Sequence, residues 1–200
     1  MRFRVFKTDI YISFLFVAFF ALLLLFDRTG LLMPAFFAAA IHEAGHIFAM
    51  SVLKNKPSEI RISLGSVEIV RSVCFSYGGQ AFIQAAGPLF NIVFFAVFFV
   101  FYKLLNSEML LNFSFCSLIY GLFNLIPAKG LDGGDLLYIF LSRKHSLSFG
   151  AAAVDILTGI FAASSLFMLV LSVLSHKADY RFLILLIYFS LGILSKDQNA

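Results

Sequence analysis

The chain has 200 residues, of which 61% are hydrophobic and only 13% charged, with a mean hydropathy of +0.96. A soluble globular domain carries about 25% charged residues, so this composition excludes a soluble enzyme and predicts one compact membrane-embedded domain, 1–200, with no appended regulatory domain. The net charge of +4 is not a nucleic-acid signal, because the basic residues stand singly between apolar runs, where they report membrane orientation.

The opening MRFRVFK followed by an apolar run imitates a signal peptide. The run is long, however, and Phe26-Asp27-Arg28 offers no small-residue cleavage site, so it reads as an uncleaved first span. Six spans are predicted, each needing about 20 apolar residues: 10–26, 31–53, 80–102, 109–126, 151–174 and 180–194. The expected fold is thus an all-α polytopic membrane protein of about six transmembrane helices. With the N-terminus inside, eleven of the 15 Lys and Arg fall in inside segments. That bias places both termini in the cytoplasm, and the expected location is a bacterial plasma membrane. Cys74 and Cys116 lack metal-site spacing and read as ordinary small residues rather than a disulfide.

The second span contains AAAIHEAGHIFAM, residues 38–50. His42 and His46, four apart, share one helix face a turn apart, with Glu43 beside them. This is the H-E-x-x-H arrangement, in which two imidazoles bind a metal and the carboxylate handles the proton of the attacking water. His42 lies about 16 Å along the helix from Leu31. Ionisable groups that deep in a span are functional-site candidates by default. Ala38, Ala39, Ala40, Ala44 and Gly45 keep the surroundings small, which suits close helix packing and equally leaves room for a peptide backbone.

The loop 54–79 is the largest polar stretch. Ile60, Ile62 and Leu64 alternate with Arg61 and Ser63, and Val67 and Ile69 flank Glu68, so a small β-hairpin at the membrane surface between spans 2 and 3 is expected, turning near Gly65–Ser66. Its exposed edge suits either clamping an extended substrate or capping the bundle. The third span opens with GGQAFIQAAGPLFN, where Gly87-Pro88 is expected to break the hydrogen-bond ladder of the helix, a gap tolerated where neighbours or a water-filled cavity satisfy the freed groups. Asn91 there suits a site role or interhelical hydrogen bonding. The fourth span ends in GLFNLIPAKGLDGGDLL, with Asn124 and Pro127 interrupting the helix. Asp132 follows at a glycine-rich turn, Gly133 and Gly134 being free to take unusual backbone angles, and a helix restarts at Asp135. In the fifth span Asp155 is expected to pair with Arg143 or Lys144. His145 and His176 read as surface residues.

A catalytic zinc takes three protein ligands and one open position. A third His six residues after the motif is excluded, since Val52 stands there. Glu68 has suitable chemistry but lies on an expected surface strand. Asp132, delivered by a turn after a helix break, is the favoured third ligand.

HEAGH within a span, followed by Asn124-x-x-Pro127-x-x-x-x-Asp132-Gly133-Gly134, resembles the site-2 protease family of intramembrane zinc metalloproteases. The six-span layout and the AAGPLFN start of the third span resemble the branch that includes the bacterial sporulation protease acting on a pro-sigma factor. The similarity covers nearly the whole chain. It implies one zinc per chain on His42, His46 and Asp132, with Glu43 as catalytic base and Asn124 holding substrate or the oxyanion. Asn91 is carried as a second substrate-side candidate. Two features depart from the family pattern: Lys129-Gly130 replaces a more apolar, Pro-containing pair, and no regulatory or peptide-binding module is inserted.

These readings make the chain an intramembrane metalloprotease cutting membrane-anchored proteins near the cytoplasmic side, with the lipid bilayer and a membrane-anchored substrate as its partners. The alternative is a non-proteolytic zinc-binding membrane scaffold or chaperone. The intact Glu43 counts against it, because a structural zinc site fills its fourth position and has no use for that carboxylate. A small transporter would spread its ionisable residues over several spans, whereas here they concentrate on two.

Overall fold

The computed structural model describes residues 2–5, 8–54, 59–63, 66–70, 76–175 and 187. They fall into two compact units, Met1–Phe123 and Asn124–Ala200, taken here in turn.

The first unit begins with two short strands, β1 (Arg2–Val5) and β2 (Thr8–Ile12). They pair antiparallel, and an Arg2–Asp9 ion pair of 3.2 Å sits on that pairing. Residues 10–12 therefore belong to a strand, and the first apolar helix, α1 (Phe14–Phe26), starts later than expected, after Ser13. The alternation of Arg2, Phe3, Arg4 and Val5 carries the strand period. The hairpin expected in the 54–79 loop is present as β3 (Glu59–Ser63) and β4 (Ser66–Val70), with Ile60 opposite Ile69 and Arg61 opposite Glu68. It is not an isolated hairpin. β2 runs parallel to β3, giving a four-stranded sheet in the order β1-β2-β3-β4. The expected turn residue Gly65 lies outside the described residues.

Asp27 organises the link from α1 to α2 (Leu32–Val52). Its carboxylate accepts from the Thr29 hydroxyl at 2.7 Å and from the amides of Thr29, Gly30 and Leu32 at 2.9–3.0 Å. These contacts satisfy the Leu32 amide, which has no intrahelical partner at the helix start, and the turn amides of Thr29 and Gly30 before it. Gly30 takes a positive φ of 68° that suits glycine. The Thr29 hydroxyl and the helix-start amides favour the charged form, so the Asp27 carboxyl titrates below its ordinary value.

α3 (Tyr77–Leu105) is 29 residues long, or about 44 Å. Ser76 caps its start by accepting from Gly79 N–H. Asn106 in the left-handed region ends it, with Lys103 in the last turn complementing the helix dipole. Pro88, having no N–H, leaves a gap in the hydrogen-bond ladder without ending the helix. It stands inside a continuous α3, because one missing donor and one displaced carbonyl are tolerable where neighbouring helices pack closely. α2 and α3 pack through small residues: a Cβ at Gly45 would lie 2.6 Å from the Ala86 carbonyl. Ala49, Met50, Ile83 and Ala86 form the buried core of this contact. α4 (Glu108–Asn124) closes the unit at Phe123, its last residue Asn124 being the first of the second unit.

In the second unit, residues 125–131 turn and lead into α5 (Asp132–Lys144) and α6 (Leu147–Leu174). α5 begins at Asp132, three residues earlier than expected. Gly133 and Gly134 are helical rather than oddly turned. They are glycines because a Cβ would collide with the carbonyls of Leu125 and Ala128 respectively, so the turn folds back onto the first turn of α5. The unusual angle belongs to Gly130, at φ 83°. Thr158 of α6 fixes this turn, accepting from Lys129 N–H at 2.9 Å while donating to the Val154 carbonyl at 2.7 Å. Asp155 pairs with Lys129 at 3.9 Å, a partner that sequence separation hid behind the nearer Arg143 and Lys144.

Among the described residues α2, α3 and α6 are long and apolar enough to cross a membrane, and α1 is a shorter apolar helix. Large side chains such as Phe14, Leu25 and Leu104 are at least 70% exposed, as expected of surfaces facing lipid rather than water. The chain is an integral membrane protein by these features. The expected sixth span, 180–194, has only Ile187 among the described residues.

Candidate metal centre

α2 carries the centre because its residues at 38, 42, 45, 46 and 49 are all buried on the face turned to α3. That stripe, spaced by three and four, is the apolar stripe of a helix with two imidazoles set into it. His42 and His46 are 3% and 7% exposed. Glu43, a third of a turn round, is half-buried.

The two rings meet edge to face, with centroids 4.7 Å apart, and their Nε2 atoms are 3.1 Å apart. His46 Nδ1 donates to the backbone carbonyl of Ile83 on α3 at 2.8 Å. That bond assigns the proton to Nδ1 and leaves Nε2 as the lone-pair nitrogen, the arrangement typical of a metal-binding histidine. Two Zn–N bonds of about 2.0–2.1 Å at a tetrahedral angle hold their nitrogens about 3.3 Å apart, close to the observed spacing. The wall beside these atoms is Gly87. A Cβ there would lie 2.5 Å from His46 Nε2 and 2.8 Å from His42 Cε1, so α3 leaves open the space that any larger residue would fill. Convergent imidazole nitrogens in a close-fitting cradle fit zinc.

The remaining candidates occupy distinct places. Asn91, fully buried on α3, donates its amide hydrogens to the carbonyls of Ala38 on α2 and Ser117 on α4, each at 3.2 Å, and Ser117 donates back to the Asn91 carbonyl at 3.0 Å. Both Nδ2 hydrogens are thus engaged in tying three helices together. Asn124, half-buried, is the last residue of α4, and Asp132, half-buried, is the first of α5; both belong to the second unit. Glu68 lies on β4. His145 is exposed at the end of α5, as expected, and Cys116 is a free thiol on α4. His176 and Cys74 lie outside the described residues. Sequence reasoning missed Tyr120, whose ring stands edge to face against His42 with centroids 5.2 Å apart. It also missed Ile83, which acts through its backbone and leaves no side-chain signal.

No family model matches the chain. It is 27% identical over 160 residues, 77% of its length, to a zinc metalloprotease of Methanocaldococcus jannaschii. It spans about half of that relative, 46% of its length. In three dimensions it is similar to the site-2 protease from Methanocaldococcus jannaschii, with a TM-score of 0.67 and 23% identity, over 99% of this chain and 94% of that one. The chain therefore has the fold of a site-2 protease.

Proposed function

We propose that this chain is an intramembrane zinc endopeptidase that hydrolyses peptide bonds in or near the transmembrane segments of membrane-anchored proteins, close to the cytoplasmic side. The observation that carries the reading is the pair of buried Nε2 atoms 3.1 Å apart, with His46 oriented by the Ile83 carbonyl. The fold and the likeness to a 27% identical zinc metalloprotease support it. One zinc per chain would be held by His42, His46 and Asp132, each offering one ligand atom. A carboxylate that opens α5 after the turn at Gly130 suits the third place better than Glu68 on its strand.

When bound, zinc lowers the pKa of water toward about 7 and polarises the scissile carbonyl. Glu43 takes the proton from the attacking water as its oxygen bonds to the carbonyl carbon. It then gives that proton to the amide nitrogen that leaves. Asn124 donates its amide to the carbonyl oxygen as negative charge develops there. A helical substrate hides its carbonyls in intrahelical bonds, and pairing along β4, the edge strand of the described sheet, holds it extended. The excess of Lys and Arg in alternate segments supports both termini in the cytoplasm of a bacterial plasma membrane. We propose a single working domain, 1–200.

The test uses purified full-length chain in detergent and a single-span reporter. Wild type holds about one zinc per chain and cleaves, while Glu43→Gln keeps the metal and loses cleavage. Cleavage by Glu43→Gln at the wild-type rate overturns the reading, and a wild type that binds zinc without cleaving leaves a zinc-binding scaffold.

A further inference from the structure

Resting on the zinc reading above, we propose that Tyr120 is a positioning residue for the metal centre: its ring holds the plane of the His42 imidazole, and Asn91 holds Tyr120 in place.

The two histidines are fixed by different means. His46 is oriented through Nδ1 by the Ile83 carbonyl. His42 meets His46 edge to face on one side and the Tyr120 ring at 75° on another. Aromatic rings at such centroid distances prefer edge-to-face packing. That preference fixes the imidazole plane, and with it the direction of the in-plane lone pair that a metal must meet.

Tyr120 reaches His42 by a rigid route. Asn91 grips α2 at the carbonyl of Ala38, one turn before His42, and grips α4 at the carbonyl of Ser117, one turn before Tyr120. Ser117 returns a hydrogen bond to Asn91, and Ser114, a turn earlier on α4, donates to the Phe95 carbonyl at 3.1 Å. Just past Tyr120, Gly121 packs so tightly on α3 that a Cβ would lie 2.8 Å from Asn91 Cβ. The α4 turn bearing Tyr120 is therefore held before and after the ring, and both ends of the hold involve Asn91. Gly87, one turn before Asn91 on α3, forms the wall of the imidazole pair. One face of α3 thus spaces the ligands and sets the residue that orients one of them.

The test measures zinc affinity by chelator competition and the visible absorption bands of the cobalt-substituted protein, for wild type, Tyr120→Phe and Tyr120→Leu. Loss of a residue that orients a ligand lowers metal affinity by about 10–100-fold. Tyr120→Phe keeps wild-type affinity and bands, because the ring remains. Tyr120→Leu loses affinity by about 10-fold or more and shifts the cobalt bands. Tyr120→Met, of similar bulk without a ring, carries the same expectation if the leucine variant does not fold. In a double-mutant cycle, Asn91→Ala and Tyr120→Leu weaken binding less together than the product of their separate effects. Wild-type affinity in Tyr120→Leu, equal losses in the phenylalanine and leucine variants, or multiplicative losses in the cycle overturns the inference. A wild-type protein that binds no zinc overturns instead the function on which it rests.

Discussion

Replacing Gly87 with alanine tests the centre most directly, because the added atom points at the nitrogen that would bind metal. The new Cβ would stand 2.5 Å from His46 Nε2, 2.7 Å from His46 Cε1 and 2.8 Å from His42 Cε1, whereas ordinary contact begins at 3.4 Å. Something must move by nearly an ångström. The His46 ring cannot retreat freely, since its Nδ1 is tied to the carbonyl of Ile83, one turn away on the same helix. α3 cannot retreat either without opening its contact with α2, where Gly45 already lies against Ala86 and Gly87. Overpacking of this kind costs about 1–3 kcal/mol, and displacing an oriented ligand lowers metal affinity by about 10–100-fold. Gly87→Ala is therefore expected to weaken zinc binding by that factor in chelator competition and to lower the unfolding midpoint of the zinc-free protein. Gly78→Ala is the control: nothing lies within 4 Å of its Cβ, and it leaves both measurements unchanged. Zinc affinity in Gly87→Ala equal to wild type would refute the placement of the ligand nitrogens against α3.

Asp132→Asn is expected to cut the zinc content of the purified protein far more than Glu68→Gln, measured by atomic absorption; the reverse result moves the third ligand to β4. Gly134→Ala forces a Cβ onto the Ala128 carbonyl, so it is expected to destabilise the second unit by about 1–3 kcal/mol in thermal unfolding, and an unchanged midpoint refutes that packing. The Asp27 carboxyl, depressed by its hydrogen bonds to Thr29 and the helix start, stabilises the link when ionised. A depressed acid contributes fully above its unfolded value and loses its contribution as pH falls through the folded one. The Asp27 contribution to the α1–α2 link is therefore expected to fade only below about pH 4, and a carboxyl-carbon NMR titration should give a midpoint below that of an ordinary aspartate.

The sequence by itself determined the membrane class, the helix that carries the centre and the identity of its two imidazoles. Those depend on local quantities: hydropathy summed over about 20 residues, and a four-residue spacing that any helix converts into a shared face. The β3–β4 hairpin was legible for the same reason, since a period of two is local. The parallel pairing of β2 with β3 was not, because it joins residues about fifty apart and leaves no mark in either segment. Pro88 was legible as a gap in the hydrogen-bond ladder, whereas the continuation of the helix through it depends on what surrounds the helix rather than on the residue. Asn91 could be placed at membrane depth from its span, but its hydrogen bonds to Ala38 and Ser117 could not. Tertiary structure alone decided that Ile83 orients His46, that Gly87 leaves the imidazole pair room, and that Tyr120 lies against His42. These are contacts between helices, and helix-to-helix register is fixed by the packing of whole faces, which no single stretch of sequence contains.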